Sequence, residues 1–237
     1  MVTAHERGIG RFAWVMAWVG LVAGQMHALA RFSVPAHAGD LEYPGTRIWA
    51  VPTMRALRPL LDWGTPEQVY VHYGKVWLPV FVASTLCGVA VYRRRRPKGF
   101  ERWAWRAAIA SLGVMLVGVF LDYWTQWTGQ AEAGHGLEAR LFWLGTWVTF
   151  PGLALMLLTV TTLGITLLVN GFRPVLPAVM FAAIIPFAFA ITEVTSLGSV
   201  ALPVMFGFGV LGQRLAQAPS DGGLRPALRS AAGQSLS

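Results

Sequence analysis

Of 237 residues 55% are hydrophobic and 13% are charged, against about 25% charged in a soluble globular domain, so the apolar surface of this chain is meant for lipid. The net charge of +8 would suit nucleic acid, but Arg93, Arg94, Arg95, Arg96, Lys98, Arg102 and Arg106 crowd between two apolar runs, where they meet anionic headgroups and no nucleic-acid partner is expected. Cys87 is the single cysteine, which excludes an intrachain disulfide, and Lys75 and Lys98 are the only lysines, an arginine bias that points to a GC-rich bacterial genome.

Residues 1–11 read as a cytoplasmic tail, and 12–30 as the first apolar segment. Along it and just past its end, Gly20, Gly24, His27 and Arg31 recur at spacings of 4, 3 and 4 and share one helix face. Gly20-x-x-x-Gly24 predicts close approach of another helix. His27 then points at protein, as a proton-active, ligand-binding or metal-binding group or as a histidine bonded to a neighbouring helix. Arg7, Arg11 and Ala28-Leu29-Ala30 also fit a cleaved secretory signal. The apolar run, longer than the usual 7–15 residues of such a signal, favours a retained helix.

Residues 31–74 form a long outer loop. The stretch 41–52, with Tyr43, Pro44, Gly45 and Pro52, reads as irregular structure. After Thr53, helical spacing of Met54, Leu57, Leu60 and Leu61 predicts a short amphipathic helix lying on the membrane or capping the bundle. Thr65-Pro66-Glu67-Gln68 is a helix start, with Thr65 as N-cap, proline at the first position and Gln68 closing a capping box. That helix is expected to run unbroken into the second span, with His72 on the side of Gln68.

The second span, 75–92, ends in Arg93, Arg94, Arg95, Arg96, Pro97 and Lys98, a block of cations that fixes this end in the cytoplasm and meets the membrane surface. A third span, 103–124, carries Asp122 on a face with Ser111, Met115 and Gly118. The fourth, 141–169, contains Pro151-Gly152 and the set Thr159, Thr161, Thr162 and Thr166, which either lines a polar path or bonds its own backbone. Residues 175–192 and 197–215 read as two further spans with a hairpin at 195–198, or as one broken element kinked at Pro186 and Pro203. The tail is 216–237.

The expected fold is thus all-α, a polytopic transmembrane bundle of six spans (12–215) with short helices in its outer loop and both termini cytoplasmic. Trp49, Trp63, Tyr70, Tyr73, Trp77, Tyr123, Trp124, Trp127 and Trp143 form an outer aromatic belt, and Trp103 and Trp105 an inner one. His27, Asp122 and Glu193 reach similar heights on three helices and, if they converge, make one polar site with Arg31 and His72 as further candidates. There is no Walker A, dinucleotide or G-x-S-x-G pattern, and the histidines lack the spacing of a haem or zinc site; no cofactor is expected. The composition favours a non-catalytic protein of a bacterial cytoplasmic membrane that binds or organises lipid, an apolar ligand or a partner membrane protein through its outer face. A small proton-coupled transporter using His27, Asp122 and Glu193 is the alternative, and a membrane-embedded enzyme acting on a lipid the second.

Overall fold

The structure is a computed structural model that describes residues 3–127, 136–191 and 200–218. Helix α1 spans Ala4–Ser33 and begins well before the expected 12, because Thr3 and Glu6 close a capping box that starts the helix at the edge of the apolar run. A 3₁₀ segment, Pro35–Glu42, leads to α2 (Pro44–Ala56) and α3 (Arg58–Leu61). The stretch 41–52 is therefore not irregular. Pro44 occupies the first turn of α2, where its fixed φ suits a helix and its missing N–H costs nothing. The break falls later, at Leu57, because Pro59 has no N–H to offer the carbonyl of Arg55.

Helix α4 (Pro66–Gly74) starts as expected. The hydroxyl of Thr65 accepts from the Gln68 N–H at 3.3 Å, and the Gln68 side chain accepts from the Thr65 N–H at 3.1 Å. It continues into α5 (Trp77–Arg95) across one tightened turn at Lys75 and Val76, both with right-handed helical dihedrals. Pro79 explains the turn: it lacks the N–H that would bond the Lys75 carbonyl. The Trp124 indole fills that vacancy, donating to the Lys75 carbonyl at 2.9 Å.

Helix α6 (Gly99–Val119) passes into a π turn, Phe120–Trp124. Helix α7 (Leu137–Val169) ends in a Schellman motif: Gly171, at φ 64, lets Phe172 N–H reach the Leu167 carbonyl at 2.9 Å and its own N–H reach that of Leu168 at 3.0 Å. Helices α8 (Val175–Ala182) and α9 (Ile184–Ile191) are separated at Ala183, one turn before Pro186, whose missing N–H leaves the Ala182 carbonyl unbonded within the helix. Helix α10 is Leu202–Gln217.

Among the described residues four helices are long and apolar enough to cross a membrane, Ala4–Ser33, Pro66–Arg95, Gly99–Trp124 and Leu137–Val169, so this is an all-helical, multi-pass membrane protein. Contacts run in a closed ring, α1 to α5, α6, α7, α8, α10 and back to α1. Close approaches fix the directions. Gly10 lies against Gly212 and Gly209 against Ala17, so α10 runs antiparallel to α1; α8 follows α7 after only the turn 170–174 and packs back on it at Gly164, through Ala178 and Ala182, so it runs antiparallel to α7. The middle of the ring is filled by Leu112, Met115, Met156, Leu163, Phe181 and Phe208, all fully buried.

The expected role of Gly20 and Gly24 needs correcting. The tightest backbone contact of α1 is at Gly10, while Gly20 faces the side chains of Met205 and Val80, and Gly24 makes room for the ring of Trp77. Small residues here admit side chains. A second, separate apolar core lies at the far end of α1, where Met26, Leu29, Phe32, Ala50, Leu61 and Val69 are buried together. The segment from the 3₁₀ turn to α3 thus forms a folded cap over the ends of α1 and α4. It caps through Leu61 and the partly buried Met54 and Leu57, leaving Leu60 exposed, as the helical spacing of those residues allows.

Candidate functional site

At the cap end His27 is 1% exposed and held by aromatic side chains from three elements. Tyr70 of α4 stacks on its ring, with centroids 4.6 Å apart and planes at 15°. Tyr123 of the π turn meets it edge-on at 5.2 Å. The Trp77 indole donates to its Nδ1 at 3.1 Å, and the hydroxyls of Tyr70 and Tyr123 bond each other at 3.2 Å. Two glycines open this space: a side chain on Gly24 would strike the Trp77 ring, and one on Gly74 the Tyr123 ring. An indole N–H can only donate, so Nδ1 carries no proton and the neutral imidazole has its hydrogen on Nε2. That Nε2 is buried with no hydrogen-bond partner among the described residues, and so is Nε of Arg31, one turn along the same face.

The other expected site residues separate. Arg31 forms an ion pair through Nη2 with Asp40 of the 3₁₀ segment at 3.1 Å. His72 is exposed; its Nδ1–H donates to the Gln68 carbonyl at 2.8 Å and its ring meets Trp63 edge-on, which makes it a surface packing residue of α4. Asp122 neighbours Tyr123 in the π turn but serves a different helix: Thr149 of α7 donates to its Oδ2 at 2.5 Å. Gly145 leaves α7 close enough for that contact, and Gln126 donates to the Asp122 backbone carbonyl. Its Oδ1 is buried without a partner among the described residues. His27 and Asp122 therefore do not share a hydrogen bond; Tyr123, the residue after Asp122, is the one that faces His27. Glu193 lies outside the described residues.

Three aromatic assignments are overturned. Trp77 and Tyr123, expected in an outer anchoring belt, are 2% and 6% exposed and enclose His27, and Trp105 of the expected inner belt is fully buried. Trp63, Trp124, Trp127, Trp143 and Trp103 are exposed, as anchors should be. A periodicity signal was present: Tyr70, Gly74 and Trp77 fall at i, i+4 and i+7, one face of a helix. It places an aromatic pair and a gap on the same side.

At the opposite end the arginine block divides. Arg95 pairs with Glu101 through both guanidinium and carboxylate groups. The same carboxylate accepts from Asn170 at 2.9 Å and from the Trp105 indole at 3.3 Å, and the Arg95 guanidinium lies 4.8 Å from the centre of the Phe172 ring. Arg102 and Arg106 also bond within the protein, to the Pro97 carbonyl and the Tyr92 hydroxyl. Arg93, Arg94, Arg96 and Lys98 are exposed. Glu101 and Asn170 were not anticipated as partners, since they are far apart in sequence and only the meeting of α6 with the end of α7 brings them together.

Of the expected threonine set in α7, three members bond their own backbone; Thr159 also shares a hydrogen bond with Ser111 of α6 at 2.8 Å, and the Thr161 hydroxyl is buried without a partner among the described residues. Thr159, Thr162 and Thr166 each donate to the carbonyl four residues back, at 2.7–2.8 Å, the backbone bonding that competes with a polar path. Trp14 and Trp18 form an edge-on pair and Trp18 packs on Phe206 of α10, so they serve helix packing. Comparison with known families, with curated proteins and with solved structures returns no match to this chain.

Proposed function

We propose that the protein is a non-catalytic component of a bacterial cytoplasmic membrane that holds a lipid or other apolar ligand at its cap end. The observation that carries this reading is the second apolar core, which folds a cap over a polar, aromatic enclosure at the end of the apolar helices. A span alone needs no such cover. Polar groups kept under an apolar lid suit a ligand with a polar head and an apolar body. Native mass spectrometry of gently solubilised protein tests this: a retained lipid or apolar molecule is expected, lost when α2 and α3 are unseated by Leu61→Asp. A chain that emerges bare, and takes up no lipid on reconstitution, overturns the reading.

The proposed topology has six crossings, with α8 and α9 together as the fifth, α10 as the sixth, the cap outside and both termini in the cytoplasm. The antiparallel pairing of α8 with α7 and of α10 with α1 supports it, as does the positive-inside bias of Arg93, Arg94, Arg96 and Lys98, which then meet anionic headgroups. Thiol labelling of intact cells should modify a cysteine introduced at residue 45 and spare one at residue 98; the reverse pattern refutes the orientation.

A second reading, a small proton-coupled transporter, is favoured by one feature only. Asp122 sits in a π turn, a helix irregularity frequent at functional sites, with one carboxylate oxygen unpaired among the described residues. Proteoliposomes that take up protons, and cease to do so with Asp122→Asn, would establish it over the first.

A further inference from the structure

We infer that the enclosure around His27 takes the acceptor oxygen of an amphipathic ligand, a carbonyl or a carboxylate, with the Nε2–H of His27 and the Nε–H of Arg31 as its two donors. This rests on the reading above that the cap end holds a lipid-like molecule, and it names the chemistry of that molecule's head.

The donor set comes from the bonding. Trp77 can only donate, so it occupies Nδ1 of His27 and leaves Nε2 carrying the hydrogen. Four residues on, Arg31 spends Nη2 on Asp40 and keeps Nε buried and unpartnered among the described residues. Both vacancies are donors, and both belong to residues on one face of α1, one turn or about 6 Å of rise apart along the helix axis. A buried donor without an acceptor is a loss in folding that nothing around it returns. A ligand that supplies an acceptor oxygen repairs two such losses at once, whereas an amine or ammonium head would add a third donor.

Charge refines the class. Asp40 already balances the Arg31 guanidinium, and His27 is neutral in the bonded tautomer, so a carbonyl meets the site as well as a carboxylate does. The walls are apolar and aromatic: Tyr70 and Tyr123 flank His27, and Met26, Leu29 and Phe32 of the same helix end belong to the cap's core. Arg31, whose side chain is 28% exposed while its Nε is covered, marks the side from which a head would enter.

The test titrates delipidated full-length protein in detergent with three probes: decylubiquinone for carbonyl, oleate for carboxylate, and phosphatidylglycerol nanodiscs for phosphate. Affinity and thermal midpoint are read in wild type, His27→Asn, Arg31→Gln and Trp147→Ala. His27→Asn keeps an acceptor near the position of Nδ1 for Trp77 and removes the donor at Nε2, while Trp147 is an exposed residue of α7 remote in sequence from the cap. Saturable binding of decylubiquinone or oleate, at least tenfold weaker in both His27→Asn and Arg31→Gln and unchanged in Trp147→Ala, is expected, and the stronger of the two probes identifies the head. If His27→Asn does not fold, Arg31→Gln alone decides. Equal affinity in wild type and the two site variants overturns the inference and leaves the lipid-binding reading intact. A preference for phosphatidylglycerol over both other probes that persists in its ether-linked analogue, which has no ester carbonyl, overturns the assigned class. Failure of wild type to bind any probe overturns both readings.

Discussion

The two ends of the bundle bury polar groups in opposite ways. At the arginine-rich end Glu101 is almost enclosed, yet Arg95, Asn170 and Trp105 between them satisfy its carboxylate. At the cap end His27 is as deeply buried and has one nitrogen satisfied, while its other nitrogen and Arg31 Nε have no partner among the described residues. A satisfied network is complete as it stands and ties α5, α6 and α7 together; unsatisfied donors are a cost that selection retains only for something not present in the chain. On the proposed reading, the contrast gives stability to one end and binding to the other.

The largest expected effect falls on the satisfied end. Glu101→Ala strands Arg95, Asn170 and the Trp105 indole; breaking a buried pair costs about 3–5 kcal/mol, and with Arg95 31% exposed a loss of about 2–3 kcal/mol in denaturant unfolding is expected. A change below about 0.5 kcal/mol would dissolve the contrast. Next comes Gly74→Ala, which drives a methyl group into the Tyr123 ring. Overpacking of this kind costs about 1–3 kcal/mol, and because it displaces a wall of the His27 enclosure it should also lower ligand retention, which Glu101→Ala should not do in the fraction that remains folded. Thr65→Ala removes one half of the capping box on α4 and should cost about 1 kcal/mol, read as a lower thermal midpoint with ligand affinity nearly preserved. The smallest effect is expected for Arg94→Gln. That residue is exposed, so its stability change should stay within about 0.5 kcal/mol, while binding to vesicles rich in anionic lipid weakens; a large stability loss would mean that the arginine block is structural throughout.

Legibility followed the range of the interaction. The box at Thr65 was readable because its bonds span three residues of one turn, and the same T-x-x-E signal at Thr3 and Glu6, passed over as tail, was equally local. Pro79 was not read in the sequence, although a proline denies an N–H to the carbonyl four residues back wherever the helix lies, and the turn it forces at Lys75 was not anticipated. Pro44 and Gly45 misled because a proline or glycine in the first turn is compatible with the helix, and Pro52 because it lies inside α2, where only packing against the cap's core decides between helix and irregular chain.

By itself, then, the sequence determined that the chain is helical and multi-pass and where α4 and α8 begin, because hydropathy, capping and missing amide hydrogens act over a few residues. Tertiary structure alone decided which tryptophans turn inward, which arginine of four finds Glu101, and that His27 is walled by Tyr70, Tyr123 and Trp77 instead of meeting Asp122. These are pairings between residues tens of positions apart. A helix face presents the same side chain whether the neighbour is lipid, an aromatic ring or a carboxylate, and the neighbour is fixed only when the helices pack.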